Sequence, residues 1–275
     1  MPRRFLCLVC TALSLLFSPA APEEEATLPI LMYHDVRWED TGKDAVTPQE
    51  LRDDLRWLRA QGYRAVTMEQ VIAFVDEGTP LPEKPIVLSF DDGLTSAYDR
   101  VLPLLREADM PMVLSVIAGS ADEFSAYRPG TVRFAHAVWS QLRELADSGF
   151  AELQNHSYAL HRAREGGWGC DRLPGESLGA YGQRLSEDAL LAQERIWTET
   201  GKQSRVFTYP YGRYSAESEE LLQELGFRAT LTCDFGVNRL TRDPDCLYGL
   251  KRICRSHGAD LASLLEEAAQ TQKRR

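Results

Sequence analysis

The residues best placed to do chemistry are two adjacent carboxylates, Asp91 and Asp92, in Ser89-Phe90-Asp91-Asp92-Gly93. They follow Ile86-Val87-Leu88-Ser89-Phe90, which reads as a short strand buried on both faces. Gly93 permits a sharp turn. Leu94 to Arg106 then has helical spacing, with Tyr98, Val101, Leu102 and Leu105 on one side. Two like charges this close are costly unless a cation or a proton separates their roles. A solvent-exposed Asp-Asp-Gly turn accounts for the same residues.

The second signal is His156-Ser157-Tyr158-Ala159-Leu160-His161, which holds two of the five histidines. On a helix, five steps turn about 500°, so the two rings would diverge by about 140°. At a strand end running into a loop, both rings can converge, and imidazoles suit zinc and its neighbours. Two unrelated surface histidines are the alternative. The third signal is Thr208-Tyr209-Pro210-Tyr211-Gly212, where backbone N–H groups beyond the proline can face a pocket and bind an oxyanion. The fourth is Met32-Tyr33-His34-Asp35, a histidine at the end of a first strand, though a lone histidine in such a place more often packs near a core.

The elements that must position these groups alternate along the chain. Strand-like segments are expected at Ile30 to His34, Tyr63 to Thr67, Ile86 to Phe90, Met112 to Ala118, Phe150 to Asn155, Val206 to Tyr209, Arg228 to Thr232 and Leu247 to Cys254. Helices are expected at Pro48 to Gln61 with Thr47 as cap, Met68 to Glu77 stopped by Gly78, Ala135 to Ser148, Leu178 to Thr200 stopped by Gly201, Ser215 to Leu225, and Ala259 to Ala269. Residues 161–177 read as a long surface loop. Roughly seven or eight βα units without a linker imply a parallel sheet with crossover helices, and a barrel rather than two doubly wound halves. All four signals fall at carboxyl ends of strands, which share one face of a parallel barrel. That coincidence points to a metal site.

Lys and Arg total 31 against 41 Asp and Glu, a net charge of −10, which argues against nucleic acid and anionic membrane surfaces as partners. Residues 1–20 read as a secretory signal: Arg3 and Arg4, an apolar run from Phe5 to Phe17, and small residues before cleavage after Ala20. The run is short for a membrane span, so none is expected after cleavage; an uncleaved anchor is the alternative. Residues 21–27 read as an acidic leader, 28–270 as one catalytic domain, and 271–275 as a basic tail. Cys170, Cys233, Cys246 and Cys254 show no C-x-x-C pairing, which argues against structural zinc; a Cys233–Cys246 bridge and buried free thiols both remain open.

Taken together, the motifs resemble those of the polysaccharide deacetylases, carbohydrate esterase family 4, with the NodB-homology fold. Ser89-Phe90-Asp91-Asp92-Gly93 is similar to the family's first motif, His156-Ser157 with His161 to its second, and Pro210-Tyr211-Gly212 to its third. The resemblance runs from about Leu28 to the closing helix. The spacing of His156 and His161, with His34 on the first strand, resembles the circularly permuted poly-β-1,6-N-acetylglucosamine deacetylases. It implies a single-domain distorted parallel (β/α)7-type barrel and a hydrolase, secreted or associated with the cell envelope, that removes N-acetyl groups from an N-acetylglucosamine-containing polysaccharide. A peptidoglycan amino-sugar deacetylase, an O-acetyl esterase and a non-catalytic glycan-binding homologue are the alternatives. The resemblance further implies that Asp92, His156 and His161 hold a divalent metal, zinc first among candidates. Asp91 is then the general base and His34 the acid, with Tyr211 and Pro210 at the oxyanion and substrate. Many family members carry an Arg where this chain has Thr208. Arg252 and Lys251 are the candidates to orient Asp91 instead. His34 is preferred over His257 as the acid, and His136 is read as structural. Trp168 and Tyr158 are placed either against sugar rings or in packing.

Overall fold

The computed structural model describes residues 25–39, 41–127, 134–164 and 167–273. Residues 1–20, read as a signal, lie outside this range, as do Arg274 and Arg275.

Seven strands form the centre: β1 (Ile30–Tyr33), β2 (Pro85–Phe90), β3 (Met112–Val116), β4 (Ala151–Asn155), β5 (Val206–Thr208), β6 (Ala229–Phe235) and β7 (Leu250–Cys254). Their spatial order is β1-β7-β6-β5-β4-β3-β2, and β2 pairs back onto β1, so the ring closes. Every pairing in it is parallel. This is the expected seven-stranded parallel barrel. A two-residue strand, Arg64–Ala65, extends the β2 edge below β1. The barrel is irregular in two places. The β4–β5 seam rests on the single partner pair Phe207 and Asn155. Between β6 and β7 the register slips, because Leu231 faces Leu250 while Phe235 faces Arg252.

The strands are apolar on both faces because both are covered. β2 is buried at all six positions. Alternate residues face opposite ways. Leu31, Leu88 and Leu114 pack outward with Leu51 and Leu55 of α1 (Pro48–Ala60), while Ile30, Val87 and Val113 share a second cluster with Met68, Val71 and Phe74 of α2 (Met68–Glu77). The helix signals are those read from the sequence. Thr47 caps α1 in a capping box with Glu50, and Gly78, at φ 83°, ends α2. Gly201 ends α6 (Leu178–Thr200), numbered with α3 (Leu102–Ala108), α4 (Ala118–Tyr127), α5 (Trp139–Asp147), α7 (Ser218–Glu224) and α8 (Leu261–Lys273).

Several expectations need correction. The helix expected from Leu94 to Arg106 begins instead with a wide turn, Ala97–Val101, before α3. Pro103 has no N–H to continue the ladder there. Helix α4 was not expected; it buries only two alanines, Ala118 and Ala121, and so lacks an apolar stripe. The acidic leader does not extend to residue 27, since Ala26–Leu28 pairs antiparallel with Asn238–Leu240. Nor does a basic tail begin at 271, because α8 runs to Lys273. Within the expected loop 161–177, Ala163–Arg164 pairs with Gly167–Trp168. The four described cysteines are free, so no Cys233–Cys246 bridge forms. No described helix is long and apolar enough to cross a membrane.

Glu50 ties α1 to the segment after β7. It accepts from the backbone N–H groups of Thr47 (2.7 Å) and Gly258 (2.7 Å) and pairs with His257 Nδ1 (2.9 Å). Burial alone would raise its pKa, but these donors lower it from 4.5 to about 2. A depressed carboxylate pKa contributes stability that is present above the unfolded value and lost as pH falls through the folded one. The stability advantage of wild type over Glu50→Gln, measured by urea unfolding, is therefore expected to be full at pH 6 and to vanish between about pH 4.5 and about pH 2. An advantage independent of pH would refute this role for the charge.

Candidate metal and active site

The four strand-end signals meet in one cleft of about 570 Å³, whose lining includes His34, Asp91, Asp92, His156, His161 and Tyr211. Three of the four non-glycine residues with left-handed backbone among the described residues lie in these motifs: Asp92 (φ 71°), Ser157 (φ 75°) and Tyr211 (φ 58°). Such conformations cost on the order of 1–3 kcal/mol each and persist where surrounding contacts over-determine them.

The left-handed turn at Asp92 separates the two aspartates. Asp91 continues the strand, is almost fully buried, and receives a two-pronged ion pair from Arg252 of β7. Arg252 Nη1 donates to Asp91 Oδ1 at 2.7 Å and Nη2 to Oδ2 at 2.8 Å. The same guanidinium donates to the Thr232 carbonyl and the Ser89 hydroxyl. Burial alone would raise the Asp91 carboxyl, but Arg252 outweighs it and holds the group below the usual carboxylate range. Arg252 thus stands against Asp91, whereas Lys251 lies beside Gly236, outside the cleft lining. Adjacent strand residues point to opposite faces, so only one of the two could reach Asp91.

Asp92 instead faces the two histidines. Its Oδ1 lies 3.5 Å from His156 Nε2 and 3.3 Å from His161 Nε2. That oxygen is buried and has no hydrogen-bond partner. A tetrahedron with metal–ligand bonds of about 2.1 Å has edges of about 3.4 Å. The two Asp92–histidine separations match that edge, and all three candidate ligand atoms lie within 4.8 Å of one another. The tautomer agrees: His156 Nδ1–H donates to the Thr208 carbonyl at 2.8 Å, which leaves Nε2 free to ligate. Burial and the neighbouring His156 push His161 down to about 4, so its ring is neutral near pH 7. For Asp92, burial acts upward, but the two imidazoles outweigh it and hold the carboxyl well down. Two imidazoles and one carboxylate beside an open cleft are a donor set that could hold a divalent metal.

Thr208, in the position of the family's frequent Arg, does other work. Its hydroxyl bonds Ser115 at 2.7 Å while its carbonyl orients His156. Pro210 is buried, and the Tyr211 ring packs on His161 with centroids 4.2 Å apart. Trp168 is exposed and meets Tyr211 edge-on. Tyr158 turns away from the cleft to Asp122. His257 is bound to Glu50 and does not line the cleft.

Two contributors escaped the sequence reading of the site. His136, read as structural, lines the cleft and donates from Nδ1 to the Asp92 carbonyl at 2.9 Å, bracing that residue's turn. No spacing pattern ties position 136 to position 92. Cys233 also lines the cleft. The strand-end rule reaches it once β6 is extended past Thr232.

The fold and this site define a closed parallel barrel with a carboxylate–histidine cleft at the carboxyl ends of its strands, and comparison with known proteins specifies the family. A family model described as polysaccharide deacetylase matches residues 78–230, and the chain belongs to that family. It is 31% identical over 229 residues to the poly-β-1,6-N-acetyl-D-glucosamine N-deacetylase of Escherichia coli K12, covering 75% of this chain. It spans 34% of that curated relative's length. A putative polysaccharide deacetylase of Bacillus subtilis, YxkH, is 24% identical over 86% of this chain and 74% of its own. Among solved structures, IcaB from Ammonifex degensii superposes with a TM-score of 0.71 at 25% identity, covering 90% of this chain and 97% of that one. The deacetylase domain of BpsB from Bordetella bronchiseptica gives 0.69 at 26%, covering 88% and 100%.

Removing Arg252 would leave a buried carboxylate without its counter-charge, a change that costs about 3–5 kcal/mol in comparable pairs. Arg252→Met is expected to lose that much stability in urea unfolding; a loss under 1 kcal/mol would refute the pairing.

Proposed function

We propose that this chain is a metal-dependent N-deacetylase that removes acetyl groups from an N-acetylglucosamine-containing polysaccharide and releases acetate. The observation that carries the reading is the convergence of Asp92, His156 and His161 beside the buried, Arg-held Asp91. Asp92, His156 and His161 would hold a divalent cation, and the nitrogen-rich donor set favours zinc. When bound, such an ion supplies Lewis-acid activation of a water and of the acetamide carbonyl.

The chain's own residues do the rest. Asp91 takes a proton from the attacking water. Arg252 keeps Asp91 ionised and aimed, at some loss of basicity. The Tyr211 backbone N–H, beyond Pro210, donates to the developing oxyanion; one such donor is worth about 3 kcal/mol in comparable sites. His34 gives a proton to the leaving sugar nitrogen. Tyr211 and Trp168 offer aromatic surface at the mouth, which suits a pyranose ring. Similarity to the Escherichia coli enzyme supports a β-1,6-linked polymer as substrate. The basic start and apolar run of residues 1–20 support export to the cell envelope or beyond.

Acetate release by the zinc-loaded chain over a panel of poly-β-1,6-N-acetylglucosamine, chitin oligomers, peptidoglycan and acetylxylan tests the reading. Release is expected from the first. Silence on all four would leave a glycan-binding homologue as the explanation. Two variants separate the roles. Asp91→Asn is expected to retain stoichiometric metal and lose turnover by about 10²–10⁴-fold. His161→Ala is expected to lose metal and activity together, and full metal retention would remove His161 from the ligand set.

A further inference from the structure

His156 and His161 are five residues apart, and the loop between them decides whether their rings meet. Each backbone N–H from His156 to Leu160 has a partner. His156 donates to the Val116 carbonyl at 3.0 Å, Ser157 to Asn155 Oδ1 at 2.8 Å, and Leu160 to the Ser157 hydroxyl at 3.2 Å. The two central ones, Tyr158 and Ala159, donate to Asp188 Oδ1 and Oδ2, both at 2.8 Å. On the carbonyl side, Ala118 N–H reaches Ser157 and Gly119 N–H reaches Tyr158 at the start of α4. The fit is tight, since a Cβ on Gly119 would stand 2.4 Å from the Tyr158 oxygen.

Asp188 differs from these other partners in offering a carboxylate, and it lies on α6, thirty residues from Tyr158. Its helix is anchored by buried Tyr181, Leu185, Ala189 and Ala192, and the Ala189 carbonyl accepts from Asn155 Nδ2 at 2.9 Å. We propose that Asp188 is a positioning residue for the metal site: its carboxylate clamps the loop between His156 and His161 and thereby sets the affinity of Asp92, His156 and His161 for a divalent cation. This rests on the metal reading given above. The chemistry asks for a carboxylate. Two neighbouring N–H groups pointing one way need two acceptors, and charge-assisted bonds of this length are about twice as strong as neutral ones. An amide offers one acceptor and sets its own N–H₂ against the second donor. With the loop held before the ion arrives, ordering of residues 157–160 is completed on folding rather than on metal binding.

The test is chelator competition for Zn²⁺ on the full chain, with the visible spectrum of the Co²⁺-loaded protein as a second readout. Asp188→Asn is expected to bind Zn²⁺ about 10–100-fold more weakly, the range seen when partners of metal ligands are removed, and to change the Co²⁺ spectrum. Glu187→Gln, an exposed neighbour bonded to Gln183, is expected to change neither. Asp188→Ser, which keeps one acceptor, gives the same reading if Asp188→Asn does not fold. Folded Asp188 variants with wild-type Zn²⁺ affinity and spectrum, even if less stable to urea, would show a merely structural role and overturn the inference while leaving the metal site intact. A wild-type chain that binds no Zn²⁺ overturns the site and the inference together.

Discussion

The buried pair between Asp91 and Arg252 is the contact on which the site depends. It joins β2 to β7 across the end of β1, and both side chains are almost completely removed from water. Desolvating two charges costs several kcal/mol per ion, and mutual attraction offsets this only when geometry is good and the remaining donors are used. Both conditions hold: the guanidinium meets both carboxylate oxygens, and its other N–H bonds go to Ser89 and the Thr232 carbonyl. An apolar pair of similar volume would fill the space at less cost in solvation. What the ion pair adds is a carboxylate that is ionised and fixed in orientation at the mouth of the barrel.

Around that pair, backbone geometry assigns different tasks to neighbouring residues. Asp91 and Asp92 are identical in type and adjacent in sequence, yet one meets a guanidinium and the other two imidazoles. The left-handed turn at Asp92 makes the difference, and the His136 bond to its carbonyl supports it. Gly93, also left-handed, follows at once; an added Cβ there would sit 3.3 Å from Val116. Ser157 and Tyr211 turn the same way at the ends of β4 and β5. Strain is thus concentrated at the three strand ends that carry the motifs, and the closed sheet beneath absorbs it.

The β6–β7 register slip bears on the same region. Between Leu231–Leu250 and Phe235–Arg252, β6 uses two more residues than β7. Such irregularities re-aim side chains near functional sites. Here the segment of β6 carrying Thr232 and Cys233 sits where the Thr232 carbonyl accepts from Arg252 and Cys233 borders the cleft.

Much of this was legible in the residues alone. Alternating βα periodicity determined a parallel barrel, because strands apolar on both faces need helices on the outside. Thr47, Gly78 and Gly201 marked helix ends through capping chemistry that acts locally. Asp91, Asp92, His34, His156, His161 and Tyr211 could be gathered at one cleft because parallel topology puts all carboxyl ends on one side. Other features belong to the tertiary structure. Which cation meets Asp91 was undecided between Lys251 and Arg252 until strand alternation and the β7 register turned one of them inward. The bracing of Asp92 by His136, and of the histidine loop by Asp188, joins residues 44 and about 30 positions apart. No periodicity links such positions. They meet because closing the sheet brings α6 against the loop after β4, and brings the segment around His136 beside the turn after β2.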